Sequence, residues 1–160
     1  MIFVTIGSLF PFDRLVRVMD AIAPTMPEHA FFAQIGEGKY EPTHMAFARM
    51  LSRREFTAKI NEATLIVAHA GMGSVIQAME SRKPIVLLPR IFEQGEHTTD
   101  HQMATARWLA EKPGVYVAME DADLGETIKA ALAGVRGEGA MTASAPPEFL
   151  AKIRDFILHA

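Results

Sequence analysis

The chain has 160 residues, 49% of them hydrophobic and 22% charged, with a net charge of −3 and no cysteine. That balance suits one globular domain with a full core. It excludes disulfides, thiolate catalysis and cysteine-ligated zinc, and it gives no electrostatic footing for nucleic acid or an anionic membrane.

The opening MIFVTIGS lacks the basic region and long apolar core of a signal peptide, and no run approaches the ~20 apolar residues of a membrane span. The expected compartment is the cytoplasm. In chain order, residues 2–6 read as a buried parallel strand, ended by Gly7 and Ser8. Residues 9–12 are a loop, with Asp13 the expected N-cap of a helix bearing Leu15, Val16, Val18, Met19 and Ile22, closed before Pro24. Residues 30–35 are the second strand, ended by Gly36 and Gly38. Residues 40–54 mix aromatic and basic side chains around a short strand within 46–50, and residues 55–63 are helical.

Residues 65–68 form another apolar run, followed at once by His69, Ala70, Gly71, Met72, Gly73 and Ser74. The next helix is expected to turn Val75, Ile76 and Met79 to one side and to stop at Lys83-Pro84. Residues 85–88 are a strand ending in Pro89-Arg90. Residues 99–111 form a helix started by Thr99 or Asp100, residues 115–118 a strand, and residues 121–132 a helix with Asp121 near its N-cap. Gly, Ala, Ser, Thr and Pro dominate residues 134–147, a flexible linker by composition. Phe149, Leu150, Ile153, Phe156 and Ile157 give residues 148–160 the stripe of an amphipathic helix.

Alternating strands and helices predict an α/β, Rossmann-like parallel sheet sandwiched by helices over residues 1–133, with strand order 3-2-1-4-5-6. Ligands of such sheets bind beyond the carboxyl ends of the strands. Two polar clusters fall there. In the first, His69 to Ser74, two glycines let backbone N–H groups approach a ligand, and the following helix start favours an anion. The plain alternatives are a simple glycine turn and a satisfied strand-end histidine. The dinucleotide fingerprint fits poorly: the loop after the first strand has only Gly7, and the third glycine after Gly71 and Gly73 is missing.

The second cluster is Gly95, Glu96, His97, Thr98, Thr99, Asp100, His101 and Gln102. His97 and His101 stand four apart, yet no third ligand is placed by sequence, so no metal is expected. A polar helix start that hydrogen-bonds hydroxyls and phosphates fits better. Arg49, Arg53 and Arg54 read as a solvated face.

Taken together, VTIGSLFPFDRLV, HAGMGS, KPIVLLPR and GEHTTDHQ resemble the carboxyl-terminal domain of family-28 glycosyltransferases. They resemble in particular its free-standing small subunits, such as the soluble subunit of the two-component enzyme that extends dolichyl-diphosphate-GlcNAc, or those of exopolysaccharide synthesis. The resemblance implies half of a GT-B fold that binds a UDP-sugar donor, with no cofactor. It implies inverting transfer of a hexosyl or glucuronosyl group to a lipid-linked or polysaccharide-precursor acceptor. Gly7, Ser8 and the turn from His69 to Ser74 would face the diphosphate; Arg90 and the segment from Gly95 to Gln102 would face the donor, with Asp100 and Gln102 at sugar-contacting positions. Many relatives carry Glu at the ribose-binding position held here by Gln77. A membrane-associated partner would bring the acceptor, placing the chain at the membrane periphery through that partner; self-association is the alternative assembly. Phe10 to Phe12 and the last helix are the expected partner contacts. No catalytic base is identified. Two other functions remain open: a non-catalytic module that binds nucleotide sugar or stabilises a partner, and a nucleotide-sugar epimerase fragment.

Overall fold

The computed structural model describes residues 1–99 and 101–134. Asp100, the expected linker past Gly134 and the expected helix at 148–160 lie outside the described residues. The elements are β1 (Ile2–Thr5), α1 (Asp13–Ile22), β2 (Phe31–Gln34), β3 (Ala46–Ala48), α2 (Arg53–Glu62), β4 (Leu65–His69), α3 (Met72–Glu80), β5 (Ile85–Leu88), α4 (His101–Leu109), β6 (Val115–Val117) and α5 (Leu124–Leu132). All sheet pairings are parallel and the order is β3-β2-β1-β4-β5-β6, as the alternation predicts.

The period-two geometry of a strand explains the two cores. Ile2, Val4, Leu65, Val67, Val86 and Leu88 join one buried cluster with α1 and α5. Phe3, Ile66, Ala68, Ile85 and Leu87 join the other with residues of α2, α3 and α4. Burial on both faces is why these strands read as continuous apolar runs rather than alternating ones. β1 and β4 are neighbours across the point where strand order reverses, Thr5 opposite Ala68. The loops that leave them diverge there and open a crevice.

Several local details depart from the sequence expectations. Asp13 is the first residue of α1 rather than its N-cap; its carboxylate accepts the Lys39 N–H at 3.1 Å instead. Ile76 is 45% exposed. The inward face of α3 follows the i, i+3, i+4 rule through Val75, Ala78 and Met79, so Ala78 takes the place expected of Ile76. Phe12 is buried, stacked under the guanidiniums of Arg14 and Arg90 at 5.1 and 4.6 Å, so in the expected contact loop Phe10 and Pro11 reach the surface and Phe12 does not.

The segment that periodicity reads least well, residues 40–54, is anchored at its start by one buried carboxylate. Asp20 accepts the Tyr40 hydroxyl at 2.6 Å, the Thr43 N–H at 3.0 Å and the His44 N–H at 2.7 Å. Burial opposes its ionisation, but these donors outweigh burial and hold its pKa below the ordinary carboxylate value. The short edge strand β3 follows directly. At the start of α2, Ser52 and Glu55 form a reciprocal capping box, Glu55 accepting the Ser52 N–H at 2.8 Å and Ser52 Oγ accepting the Glu55 N–H at 3.3 Å.

Candidate functional site

A cavity of about 580 Å³ lies over the carboxyl ends of β1 and β4. Its floor is Thr5, Ile6, Gly7, Ser8 and His69; one wall is Gly73, Ser74 and Gln77 from α3; the other is Gln34, Met50, Leu51, Arg53 and Phe56. Arg90, His97 and Gln102 close the side next to β5.

His69, the last residue of β4, organises the floor. Its ring fills the space left by two glycines. A Cβ on Gly71 would lie 2.0 Å from the ring's Cε1, and one on Gly7 would lie 2.7 Å from Nε2. Gly7 also has φ +78, a region that costs other residues strain. Both glycines are therefore demanded by the histidine between them. Gly73 is different: a Cβ there meets nothing within 4 Å. The fold gives no reason for a residue that costs a helix interior about 1 kcal/mol relative to alanine. It stands in the first turn of α3, whose Met72, Gly73 and Ser74 N–H groups precede the first intrahelical bond, Val75 N–H to the Gly71 carbonyl at 3.3 Å.

Burial, and then the nearby Arg90 guanidinium, lower the His69 pKa to about 4. At neutral pH the ring is uncharged, and the cation beside the floor is Arg90. The folded pKa lies below the ordinary value near 6.5. The unfolded chain thus binds the proton more readily, so stability is full above about pH 6.5 and declines as pH falls toward about 4. Urea unfolding of the chain should show this slope, and His69→Gln should flatten it; equal slopes would contradict the buried neutral ring.

Arg90 is 2% exposed. Its guanidinium donates to the carbonyls of Pro11 at 2.5 Å, Ile6 at 2.7 Å, Phe10 at 2.8 Å and Glu96 at 3.1 Å. It pins the loop after β1 against the loop after β5, and burial lowers its pKa to about 10, still a cation at neutral pH. Glu96 is equally committed. It accepts the Arg14 guanidinium at two oxygens, 2.8 Å each, and the Ile91 N–H at 2.8 Å. Arg14 also reaches Asp121 and the Pro89 carbonyl. Gln102 accepts the Arg90 N–H at 3.1 Å and stands 3.1 Å from His69 Nδ1.

Of the residues singled out from sequence, Gly7, Ser8, His69, Gly73, Ser74, Gln77, Arg90, His97 and Gln102 line this one cavity. Ala70 is buried in the core beside it, Gly71 caps α3, and Met72 is exposed. Gly95, at φ +71, ends a 3-10 turn over Phe92–Gln94, and His101 is exposed at the start of α4. Sequence reasoning missed Gln34 and Arg14. Gln34 is 4% exposed, and its Oε1 is buried without a hydrogen-bond partner among the described residues. A polar side chain inside the apolar run FFAQI was its signal. Arg14 gave none, since a charged residue in the first turn of a surface helix is ordinary.

The family model for the glycosyltransferase family 28 C-terminal domain matches residues 1–157. The chain is 29% identical over 84 residues to the UDP-N-acetylglucosamine--N-acetylmuramyl-(pentapeptide) pyrophosphoryl-undecaprenol N-acetylglucosamine transferase of Prochlorococcus marinus (strain MIT 9312), a match over 50% of this chain and 22% of that protein. Among solved structures, Acinetobacter baumannii MurG superposes with a TM-score of 0.62 at 18% identity, covering 99% of this chain and 49% of that one. The glycotransferase of kitacinnamycin gives a TM-score of 0.58 at 18% identity, over 96% and 38%. The chain thus spans half or less of the length of these relatives, and its sheet is the Rossmann-like half of a GT-B fold. The chain belongs to the glycosyltransferase family 28 C-terminal domain.

Proposed function

We propose that this chain is the nucleotide-sugar half of an inverting glycosyltransferase. It holds a UDP-sugar while a membrane-associated partner presents a lipid-linked or polysaccharide-precursor acceptor. The observation that carries this reading is the open first turn of α3: a glycine with no structural duty, at a helix start, on the wall of a cavity at the topological switch point. A diphosphate would lie against those N–H groups, and their fixed dipoles would stabilise the charge that develops as the nucleoside diphosphate leaves. Preorganised donors of this kind contribute roughly 2.7–4 kcal/mol each in other enzymes. Arg90 adds a fixed positive charge beneath the loop after β1. The half-exposed wall of Met50, Leu51 and Phe56 offers apolar area for a base, and Gln77 offers a neutral partner for ribose hydroxyls.

The reaction class assigns the remaining tasks to the partner. An inverting transfer needs a base on the acceptor side, and in this reading it comes from the partner. Of the two residues that the resemblance puts on the sugar, Asp100 and Gln102, Asp100 is retained in the proposal on that ground alone, and Gln102 also lines the cavity. The chain works in the cytoplasm and meets the membrane through the partner; among the described residues no helix is long and apolar enough to cross a bilayer.

Two results are expected. The isolated chain should transfer sugar far below the ordinary enzymatic range; turnover on the order of 1 per second or faster without a partner contradicts the two-component reading. With the partner present, transfer should survive excess chelator, because the D-x-D of Asp121 and Asp123 lies outside the cavity lining, with Asp121 paired to Arg14, and the helix start takes up the phosphate charge. Loss of turnover in EDTA, restored by a divalent cation, contradicts that. Binding of UDP-sugar without turnover in the assembled complex would favour a non-catalytic module, and epimerisation without acceptor an epimerase fragment.

A further inference from the structure

We propose that Gln102 is a positioning residue that fixes His69 as its Nε2–H tautomer, so that an uncharged ring offers one pre-aimed donor to an anionic oxygen of the ligand; the identity of that ligand rests on the nucleotide-sugar reading. A backbone N–H can only donate. The Gln102 atom 3.1 Å from the Arg90 N–H is therefore the amide oxygen. The amide NH2 is then the group 3.1 Å from His69 Nδ1. An NH2 group also only donates, so Nδ1 must present its lone pair, and the single proton of the neutral ring sits on Nε2.

Nε2 lies on the Gly7 side of the ring, 2.7 Å from where a Cβ on that residue would be. No protein group among the described residues hydrogen-bonds it, and the ring lines the cavity. Gln102 is 6% exposed on the first turn of α4, with both arms of its amide engaged, so it has little freedom to turn over. The charged and titratable groups facing the ring are Arg90, just past β5, and His97, in the loop before α4; neither hydrogen-bonds it. Protonation at Nδ1 would set N–H against N–H. The ring is thereby kept from acting as a second cation or as a base at that atom. It keeps one donor, unchanged across neutral pH, on the side where the loop after β1 meets the cavity.

The test uses nitrogen-15 imidazole spectra of the full chain and calorimetry with UDP, which lacks the donor sugar. The wild-type spectrum, which needs no variant, should give the Nε2–H pattern for His69 at neutral pH; an Nδ1–H pattern overturns the proposal. In Gln102→Glu a carboxylate would accept both the Arg90 N–H and a ring N–H. It should draw the proton to Nδ1 and leave a lone pair facing the ligand. UDP should then bind about tenfold more weakly than to wild type at about pH 8, the gap closing toward about pH 6 as the ring protonates. Gln102→Met, which expresses no preference, should give a mixed tautomer and an intermediate loss. If both variants bind UDP as wild type does, and only UDP-N-acetylglucosamine binds less well, Gln102 serves the sugar and the proposal falls. A wild-type chain with the Nε2–H pattern but no affinity for UDP overturns the nucleotide reading, and with it the ligand role of the ring, while the tautomer assignment stands.

Discussion

Gly73→Val should bind UDP roughly thirtyfold more weakly than the unaltered chain while melting at the same temperature or above it. The loss corresponds to about 2 kcal/mol, the upper range for an anion at a partly buried helix start. A valine side chain on the first turn of α3 would occupy the space through which a phosphate reaches the N–H groups of Met72, Gly73 and Ser74. The fold has no objection to it, because nothing lies within 4 Å of a Cβ at this position. Glycine is also the poorer helix former of the two. Opposite signs on affinity and stability separate a ligand-serving glycine from a structural one. Calorimetry and a thermal melt on the same sample decide it, and undiminished affinity would remove this turn from the site.

Gly71→Ala, two residues earlier, should do the reverse and damage the fold by about 3 kcal/mol or more. Its Cβ would overlap the His69 ring, 2.0 Å from Cε1. The ring is hemmed in by Gly7 on its other side, and moving it breaks the contact with Gln102. A melting temperature lower by roughly 6–12 °C is expected for a chain of this size. The cause is specific, so it can be cancelled. In the background of His69→Ala the same alanine has room, and its cost should shrink by at least half. A cost that is the same in both backgrounds would mean that backbone geometry, not the histidine, requires glycine at 71.

These two glycines mark how far sequence reading reaches. HAGMGS announces a strand–turn–helix junction, and burial on both sheet faces makes β1, β4 and β5 legible as apolar runs. What a string of letters cannot separate is why each glycine is there. One accommodates a ring brought in from β4 and the other leaves a helix start bare, a distinction that exists only once His69 is placed in three dimensions. Arg90 and Glu96 are a similar case. Charged residues at strand ends invite assignment to a ligand, yet Arg90 donates to four carbonyls and Glu96 takes up Arg14 and the Ile91 N–H. Partners up to 84 positions away in the chain carry no local signal. The stretch before α2 resisted reading for the same reason, since its order comes from Asp20 on α1. The capping box at Ser52 and Glu55, by contrast, was present in the sequence as S-x-x-E and gives the start of α2 two residues earlier than apolar periodicity does.

The central claim is that the first turn of α3 and the loop after β1 together hold the diphosphate of a nucleotide sugar. Titrating UDP into nitrogen-15-labelled chain and following the backbone amides tests it most directly. The account predicts saturable shifts largest at Met72, Gly73 and Ser74, with Gly7 and Ser8 moving in step. Shifts confined to other parts of the surface, or none at millimolar UDP, would contradict it.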